Sequence, residues 1–234
     1  MKVPSGPWLE MEETGSTQDI AAMLLESPEC PGVIFTEHQL DGRGRFRRSW
    51  HSARGESLTY SLVFHDYAGH KQPWLIGMSV AVAIANVLDA QVQWPNDVVI
   101  GGKKVAGVLV ELLPIDAQFK TPVVGVGVNV NQSSFPSDLD HKATSLYLER
   151  KKRIEPKRLG KKIIVVLAEL PEPSSWSSVE PAWMRYDATP GKRYVLPSGE
   201  AGVALRIGPN GEMVCDVGGE ERTVMAAEAM FDAS

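Results

Sequence analysis

The chain has 234 residues, of which 43% are hydrophobic and 23% charged, and its formal net charge is -5. Such a composition is ordinary for a folded protein, and the acidic balance argues against a dedicated nucleic-acid binder. No apolar run reaches membrane-spanning length, and the N-terminus lacks the apolar core of a signal peptide. Two distant cysteines do not make a disulfide framework. The sequence therefore predicts a cytoplasmic protein with neither a membrane nor a nucleic-acid partner.

Helical and strand patterns alternate along the first part of the chain. Ser16 is a typical N-cap residue for a helix over the segment STQDIAAMLLE. β-Branched and aromatic residues predict strands over residues 32–38 and 57–64. Pro73 begins a long stretch that is apolar nearly all round, which is typical of a buried helix.

Three further apolar runs, AQVQW, DVVIGGKKVAGVLVELL and TPVVGVGVNVN, predict adjacent strands of one sheet, with a double-glycine hairpin turn in the second run. Pro156 begins another helix, which ends at the prolines after Leu170. Beyond it, short alternating runs separated by Pro-Ser-Gly, Pro-Asn-Gly and Gly-Gly turns are typical of a small antiparallel barrel. We therefore predict two domains, residues 1–187 and 188–234.

The segment DGRGRFRRSW, here called the arginine loop (residues 41–50), concentrates positive charge in an acidic chain. If it is extended, Arg43, Arg45 and Arg47 project to one side. The interleaved glycines let the backbone bend and approach a ligand, and the guanidinium fork suits phosphate and carboxylate oxygens. This pattern favours a loop that encloses a small anion, although a solvated basic loop or a weak nucleic-acid patch stays open as an alternative.

Three other segments contain candidate site residues. In QWPNDVVIGGKKVAGVLVE, Gly107 stands where a strand would normally carry a side chain, which often marks the close approach of a ligand. In VVGVGVNVN, Gly125, Gly127 and Asn129 share one strand face. Residues 16–18 offer two hydroxyls and an amide. Each feature also has a purely structural explanation: a hairpin, a tight packing site or a helix cap.

In their order and spacing, GSTQD, HQLDGRGRFRRSW, QWPNDVVIGGKKVAGVLVE, GVGVNVNQ and ATSLYLE closely resemble the catalytic domain of biotin-protein ligases, over residues 10–186. The fold that this resemblance implies is α+β: a mixed β-sheet with flanking helices, of the class II aminoacyl-tRNA-synthetase-like ligase type, followed by a small C-terminal SH3-like β-barrel. The short segment before Ser16 implies the monofunctional form, which lacks a DNA-binding domain.

The resemblance implies an ATP-dependent ligase that makes biotinyl-5'-AMP and then transfers biotin to one lysine of a biotin carboxyl carrier protein, a part of acetyl-CoA carboxylase or a related carboxylase. Biotin and ATP would be the substrates, and Mg²⁺ would accompany ATP without a dedicated set of protein ligands. A homodimer is compatible with the resemblance, because many relatives pair through the sheet.

Site residues follow from the same resemblance. Lys104 would lie between the biotin carboxylate and the α-phosphate, and Asp97 would orient the incoming carrier lysine. The catalytic residues would be Lys104, Arg45 and Asp97. The biotin-binding residues would be Ser16, Thr17, Gln18, Gln39, Arg43, Gly44, Arg45, Lys104 and Gly107. The nucleotide-binding residues would be Arg43, Arg45, Trp50 and Asn129.

Two positions depart from the family pattern. Gln93 replaces a basic residue, which removes one potential phosphate or metal contact, and Phe46-Arg47 replaces a basic residue and a glycine, which predicts a stiffer loop. Three other functions stay open: a lipoate or octanoate ligase of the same fold, a non-catalytic biotin-binding or adenylate-binding protein, and a nucleic-acid-binding module.

Overall fold

The computed structural model describes residues 1–115, 117–196, 198–225 and 230–231 of the chain. Two sheets organise these described residues, one of seven strands and one of five. The strands of the first sheet are β1 (Trp8–Thr14), β2 (Val33–Gln39), β3 (Ser57–Val63), β4 (Gln91–Gln93), β5 (Asp97–Ile100), β6 (Lys103–Pro114) and β7 (Lys120–Asn129). Their spatial order is β1-β2-β3-β7-β6-β5-β4, with β1 parallel to β2 and the other neighbours antiparallel.

Helices cover both faces of this sheet. They are α1 (Thr17–Leu24), α2 (Trp74–Leu88), α3 (Leu146–Arg150), α4 (Pro156–Glu169) and α5 (Trp176–Met184). The largest apolar cluster lies between α2, α4, α5 and one face of the sheet, and α2 is buried over most of its length. A smaller cluster lies beneath α1 on the opposite face. No helix in the described ranges is both long and apolar enough to cross a membrane.

The face of the sheet opposite α2 carries small residues where β6 and β7 pair. On β6, Val108 and Val110 point toward α2, so Gly107, Leu109 and Glu111 point to the other side. Gly107 lies directly opposite Gly127 of β7 in the register. Two facing glycines leave a shallow depression in the sheet, into which other side chains can enter.

The C-terminal strands form a second, antiparallel sheet. They are β8 (Arg193–Val195), β9 (Ala201–Ile207), β10 (Met213–Val217), β11 (Glu220–Val224) and β12 (Met230–Phe231). Within the described residues their order is β11-β10-β9-β8-β12, and the end strands do not pair with each other. The antiparallel C-terminal sheet is therefore confirmed, whereas closure into an SH3-like barrel is not.

Trp94 links the two sheets. Its side chain is buried. Its backbone N–H donates to Thr189 Oγ1 at 2.9 Å, and its indole Nε1–H donates to the Gly211 carbonyl at 3.0 Å. Tyr194 Oη donates to the Trp94 carbonyl at 2.9 Å. The C-terminal segment thus holds the turn that leads from Trp94 to the start of β5.

Most of the predicted elements are confirmed. The helix capped by Ser16, the strands at 32–38 and 57–64, the buried helix after Pro73, the group of adjacent strands and the helix from Pro156 are all present. Elements β1, α3 and α5 were not predicted from the sequence. Strand β1 reads WLEMEET and lies at the edge of the sheet. Four of its seven residues are charged or polar, so its pattern resembles a loop.

Asp187 lies beside β4, between the two sheets, and is expected to make the stability of the protein depend on pH. Its Oδ1 accepts the backbone N–H of Thr189 at 2.8 Å, and burial raises the pKa of its carboxyl group. The folded state therefore binds this proton more tightly than the unfolded chain, so its contribution to stability is present in acid and is lost as pH rises through the raised pKa. We expect Asp187→Asn to weaken the fall in unfolding free energy as the pH rises above the ordinary pKa of an aspartate, about 3.9, measured by urea unfolding. Asp138→Asn, at an exposed position, is the control; identical slopes for the two variants would contradict this expectation.

Candidate functional site

A cavity of about 950 Å³ lies over the glycine depression, on the face of the sheet opposite α2. It is lined by α1, the arginine loop, β6, β7 and the segment around Asn96. All twelve site residues expected from the sequence line this one cavity: Ser16, Thr17, Gln18, Gln39, Arg43, Gly44, Arg45, Trp50, Asp97, Lys104, Gly107 and Asn129. The sequence therefore identified residues that the fold brings together.

Uncharged polar groups form one wall of the cavity. Ser16, Thr17 and Gln18 are all buried where α1 begins. Gln39 Oε1 accepts the Thr17 backbone N–H at 2.9 Å, and the Thr17 hydroxyl lies 2.8 Å from Ser61 Oγ. These contacts fix the first turn of α1 against β2 and β3, so the wall is preorganised.

Two buried polar side chains in this wall are unpaired. Gln18 is only 4% exposed, yet neither atom of its carboxamide has a hydrogen-bond partner in the part of the chain that the structure describes. The same holds for Thr59 Oγ1, which also lines the cavity. A β-carbon added to Gly125 would lie 3.1 Å from Gln18 Cδ, so the amide rests directly on this glycine. Because buried amides and hydroxyls are normally paired, their open donors and acceptors indicate a polar ligand.

Lys104 and Asp97 form an ion pair in another part of the cavity, with 2.6 Å between Nζ and Oδ1. Strict alternation along β6 would put Lys104 on the opposite face from Gly107. The register between β5 and β6 shifts between Val98 and Val99, and this bulge turns the lysine toward the cavity. The ammonium also lies 5.5 Å from the centre of the Trp50 ring.

Trp50 lies on the glycine depression. A β-carbon at Gly127 would lie 2.3 Å from Trp50 Cε2, and one at Gly107 would lie 3.3 Å from Trp50 Cζ3. The two glycines are therefore needed to admit the indole ring. The indole Nε1–H is buried and has no partner among the described residues, which leaves a donor within the cavity lining.

The arginine loop folds as a small hairpin rather than as an extended strand. The Trp50 N–H donates to the Gly42 carbonyl and the Gly44 N–H to the Arg48 carbonyl, both at 2.8 Å. A 3₁₀ turn over Arg45–Arg47 forms its tip, and there Phe46 has a φ of 56°. The expectation that alternate arginines share one side of an extended segment is therefore wrong, because this turn interrupts the alternation. The side chain of Arg47 lies outside the described residues.

Arg43 and Arg45 have different surroundings. The guanidinium of Arg43 donates from Nε and Nη2 to the two carboxylate oxygens of Glu111, each at 3.0 Å, and Nη1 lies 2.8 Å from Asp19 Oδ1. Arg45 reaches toward β5, where its Nη1 lies 3.5 Å from Asn96 Oδ1. Burial lowers the pKa of Arg45, an effect that the charge of Asp97 opposes. Arginine nevertheless stays charged in proteins, so Arg45 is a half-buried cation.

Asn129 is held by a buried polar network behind the cavity. Its Nδ2 donates to the Thr144 carbonyl at 3.0 Å, and its Oδ1 accepts from Gln132 Nε2 at 3.3 Å. One hydrogen of the amide and one lone pair therefore remain for a ligand. Within the described ranges, no group of three or more His, Cys, Asp or Glu side chains could hold a metal ion.

Several lining residues were not predicted from the sequence. They are Thr59, Phe135, Leu139, His141, Lys142 and the segment 191–193. The segment around Lys142 joins the cavity because the Lys104 backbone N–H donates to the Lys142 carbonyl at 2.8 Å. No local pattern marks these positions, since they reach the cavity only through long-range pairing. Gln93, the departure from the family pattern, is a buried lining residue.

Known proteins resemble the chain in sequence and in fold. Residues 11–129 match the Biotin/lipoate A/B protein ligase family. The bifunctional ligase/repressor BirA of Bacillus spizizenii is 36% identical over 141 residues, which are 56% of this chain and 43% of that protein. The chain thus spans less than half the length of this relative. The biotin--[acetyl-CoA-carboxylase] ligase of Mycobacterium tuberculosis is 28% identical over 95% of this chain and 89% of its own length.

A solved structure shows the same fold. The biotin protein ligase from Aquifex aeolicus, in complex with biotin and ATP, superposes with a TM-score of 0.74 at 23% identity, over 97% of this chain and 99% of that one. The resemblance found in the sequence motifs is thus confirmed. Because the matched residues make up more than half of the chain and contribute most of the cavity, the chain belongs to the biotin/lipoate A/B protein ligase family.

Proposed function

We propose that the protein is a biotin-protein ligase, which activates biotin with ATP to form biotinyl-5'-AMP and transfers it to a lysine of a biotin carboxyl carrier protein. The observation that carries this proposal is the buried, unpaired carboxamide of Gln18 in an uncharged wall of the same cavity that holds Lys104 and Arg45. A neutral polar wall and a cationic region together suit a ligand with a urea-like ring and a carboxylate.

The uncharged wall distinguishes biotin from lipoate. A ureido ring presents both N–H donors and a carbonyl acceptor, which the amide of Gln18 and the hydroxyls of Ser16, Thr17 and Thr59 can pair. A dithiolane ring would leave these buried groups unpaired, which costs about 1–3 kcal/mol for each group. Gln39 and the main chain at Gly44 and Gly107 complete the proposed biotin side, together with Arg43, whose Nη1 donates to Ser16 Oγ at 3.2 Å.

Lys104 and Arg45 supply the charge that the first step requires. A carboxylate oxygen of biotin attacks the α-phosphorus of ATP, and the bond from this phosphorus to pyrophosphate breaks. The reacting groups are all anionic, so fixed cations stabilise the charge that gathers around the α-phosphate. In this proposal Lys104 is the compact cation beside the α-phosphate, and Arg45 covers the α-phosphate from the arginine loop.

Asp97 takes part in the second step. The amine of the carrier lysine attacks the acyl carbon of biotinyl-AMP, an amide bond forms, and AMP leaves. A free lysine has a pKa of about 10.4 and is protonated at neutral pH, so it needs a base and a negative partner near the anhydride. The carboxylate of Asp97, held 2.6 Å from Lys104, offers both.

Trp50 and Asn129 form the proposed nucleotide side, together with the two arginines of the loop. We propose that Mg²⁺ arrives with ATP and is held largely by phosphate oxygens and water. We also propose that residues 1–187 form the catalytic domain and residues 188–234 an SH3-like domain, and that the protein works in the cytoplasm with a carboxylase subunit as its partner. We also propose that the protein forms a homodimer through the sheet.

Biotin-dependent exchange of labelled pyrophosphate into ATP, with Mg²⁺, tests the function. We expect exchange with biotin and none with lipoate or octanoate, and we expect Gln18→Leu to lose biotin affinity. Exchange with lipoate alone would make the protein a lipoate ligase. Biotin binding without exchange would make it a binding protein in which Gln93 marks a lost activity.

Arg45→Ala should release the activated intermediate into solution. Its guanidinium covers the cavity from the tip of the loop, so its removal opens the site to water and weakens the hold on the adenylate. The measurement is the fraction of labelled biotinyl-AMP that passes a desalting column unbound, compared between variant and wild type. Retention equal to that of wild type would show that Arg45 does not hold the adenylate.

A further inference from the structure

Glu111 lies on β6, four residues beyond Gly107 and on the same face of the strand. Its side chain is 28% exposed, and it ends the segment QWPNDVVIGGKKVAGVLVE without a role predicted from the sequence. Its two carboxylate oxygens accept two parallel hydrogen bonds from Arg43, each 3.0 Å long. A bidentate pair of this kind is among the stronger polar contacts available to a protein, and it fixes the orientation of the guanidinium.

The two backbone hydrogen bonds of the hairpin, Trp50 to Gly42 and Gly44 to Arg48, lie within the loop itself. They shape the hairpin, and its base is attached to the body of the protein by the Asp41 N–H, which donates to the Gly15 carbonyl at 2.8 Å, and by the Trp50 ring on the glycine depression. Arg43 adds a polar attachment through three side chains at once: Glu111 of β6, Asp19 of α1 at 2.8 Å and Ser16 at 3.2 Å. The arginine thus joins the loop to one of the strands that form the floor of the cavity and to the helix that forms its uncharged wall.

The charges around Arg43 are consistent with this role. One guanidinium faces two carboxylates, so its positive charge is already balanced within the protein. These neighbours weaken the attraction of Arg43 for an anionic adenylate, so its anchoring of the loop adds to the ligand contacts proposed above and does not replace them. Arg45, by contrast, is the half-buried arginine that approaches Asp97 and Asn96.

We propose that Glu111 is a positioning residue, which holds Arg43 and thereby keeps the arginine loop closed over the cavity. Asp19 contributes less, because its side chain is 58% exposed and solvent weakens such a pair. The inference rests on the proposed function only for the identity of the molecule that the closed loop covers.

Loop opening can be measured in the whole protein without any ligand. Arg43 lies between Gly42 and Gly44, the two residues of its strand that make the hydrogen bonds of the hairpin, so release of its side chain frees both bonds. The probes are therefore the backbone N–H groups of Gly44 and Trp50, whose exchange with deuterium reports that release. We expect Glu111→Gln to speed their exchange about tenfold, because it removes one charge from a bidentate, charge-assisted pair. Asp19→Asn should have a smaller effect. Glu37→Gln, which removes a charge from an exposed position on β2, is the matched control and should have none.

A double-mutant cycle separates positioning from general destabilisation. In an Arg43→Gln background, Glu111→Gln should not raise the exchange rate further. The thermal unfolding midpoint of the Glu111→Gln single variant should match that of Glu37→Gln. Unchanged exchange in Glu111→Gln, a larger effect from Asp19→Asn, or an effect of Glu111→Gln that persists without Arg43 would each overturn the proposal.

Activity gives a second readout, with a different meaning. Glu111→Gln should also release biotinyl-AMP faster than Glu37→Gln. If the exchange results hold but wild-type protein shows no biotin-dependent pyrophosphate exchange, the role of Glu111 stands and the proposed function fails. If wild type is active but the Gly44 and Trp50 amides exchange equally in all variants, the proposed function stands and the role of Glu111 fails.

Discussion

Lys104→Ala is expected to reduce biotin-dependent pyrophosphate exchange by about 10²- to 10³-fold, the cost of losing one preorganised group that stabilises developing charge. The lysine is turned into the cavity by the bulge between β5 and β6 and lies 2.6 Å from Asp97 and 5.5 Å from the centre of the Trp50 ring. Without it, Asp97 stands alone near the incoming carboxylate and the α-phosphate. Its negative charge then repels both substrates where a cation had attracted them.

The neighbouring lysine provides a matched control. Lys103 is exposed, and its Nζ donates to the Asp140 carbonyl at 3.0 Å outside the cavity. Lys103→Ala removes the same side chain and the same charge one residue away, so we expect near-normal exchange. Equal losses in the two variants would mean that overall charge matters rather than position, and normal exchange in Lys104→Ala would remove this lysine from the chemistry.

The position of Lys104 also shows where prediction from sequence stops. The hairpin of β5 and β6 follows from its double glycine and its β-branched residues, and the prediction of adjacent strands was correct. Period-two alternation, however, would place Lys104 and Gly107 on opposite faces. Only the bulge brings them together, and a bulge depends on the pairing of two strands rather than on a local pattern.

The arginine loop shows the same limit of prediction from a local sequence pattern. Its composition predicted a loop that encloses a small anion, and the structure places this loop along the cavity. The extended geometry inferred for it was wrong because of the turn over Arg45–Arg47. The attachment of Arg43 to Glu111 spans 68 positions of the chain. Sequence motifs therefore selected residues that line one cavity, whereas the contacts that orient them arise from the tertiary fold.

Gly127→Ala is expected to damage the site strongly, although glycine has no functional group of its own. The added methyl would lie 2.3 Å from Trp50 Cε2 and 2.5 Å from Cζ2, so the indole cannot keep its place. Atoms of a flexible chain end could move aside, but this ring rests on the sheet and belongs to the loop hairpin. Overpacking of this kind costs about 1–3 kcal/mol, and displacement of groups around a reaction centre can lower the rate by about 10²-fold.

The expected result is therefore a large loss of pyrophosphate exchange with a modest loss of stability, measured on the same preparation by exchange and by thermal unfolding. Gly107→Ala is the milder comparison, since its methyl would lie 3.0 Å from the movable Cε of Lys104 and 3.3 Å from the indole. The decisive comparison introduces Gly127→Ala into a Trp50→Ala background. With the ring absent, Gly127→Ala has no indole to displace and should cost little beyond the effect of Trp50→Ala itself. If Gly127→Ala lowered pyrophosphate exchange by the same factor in the Trp50→Ala background as in wild type, Gly127 would be required for strand pairing and not for the placement of the indole ring.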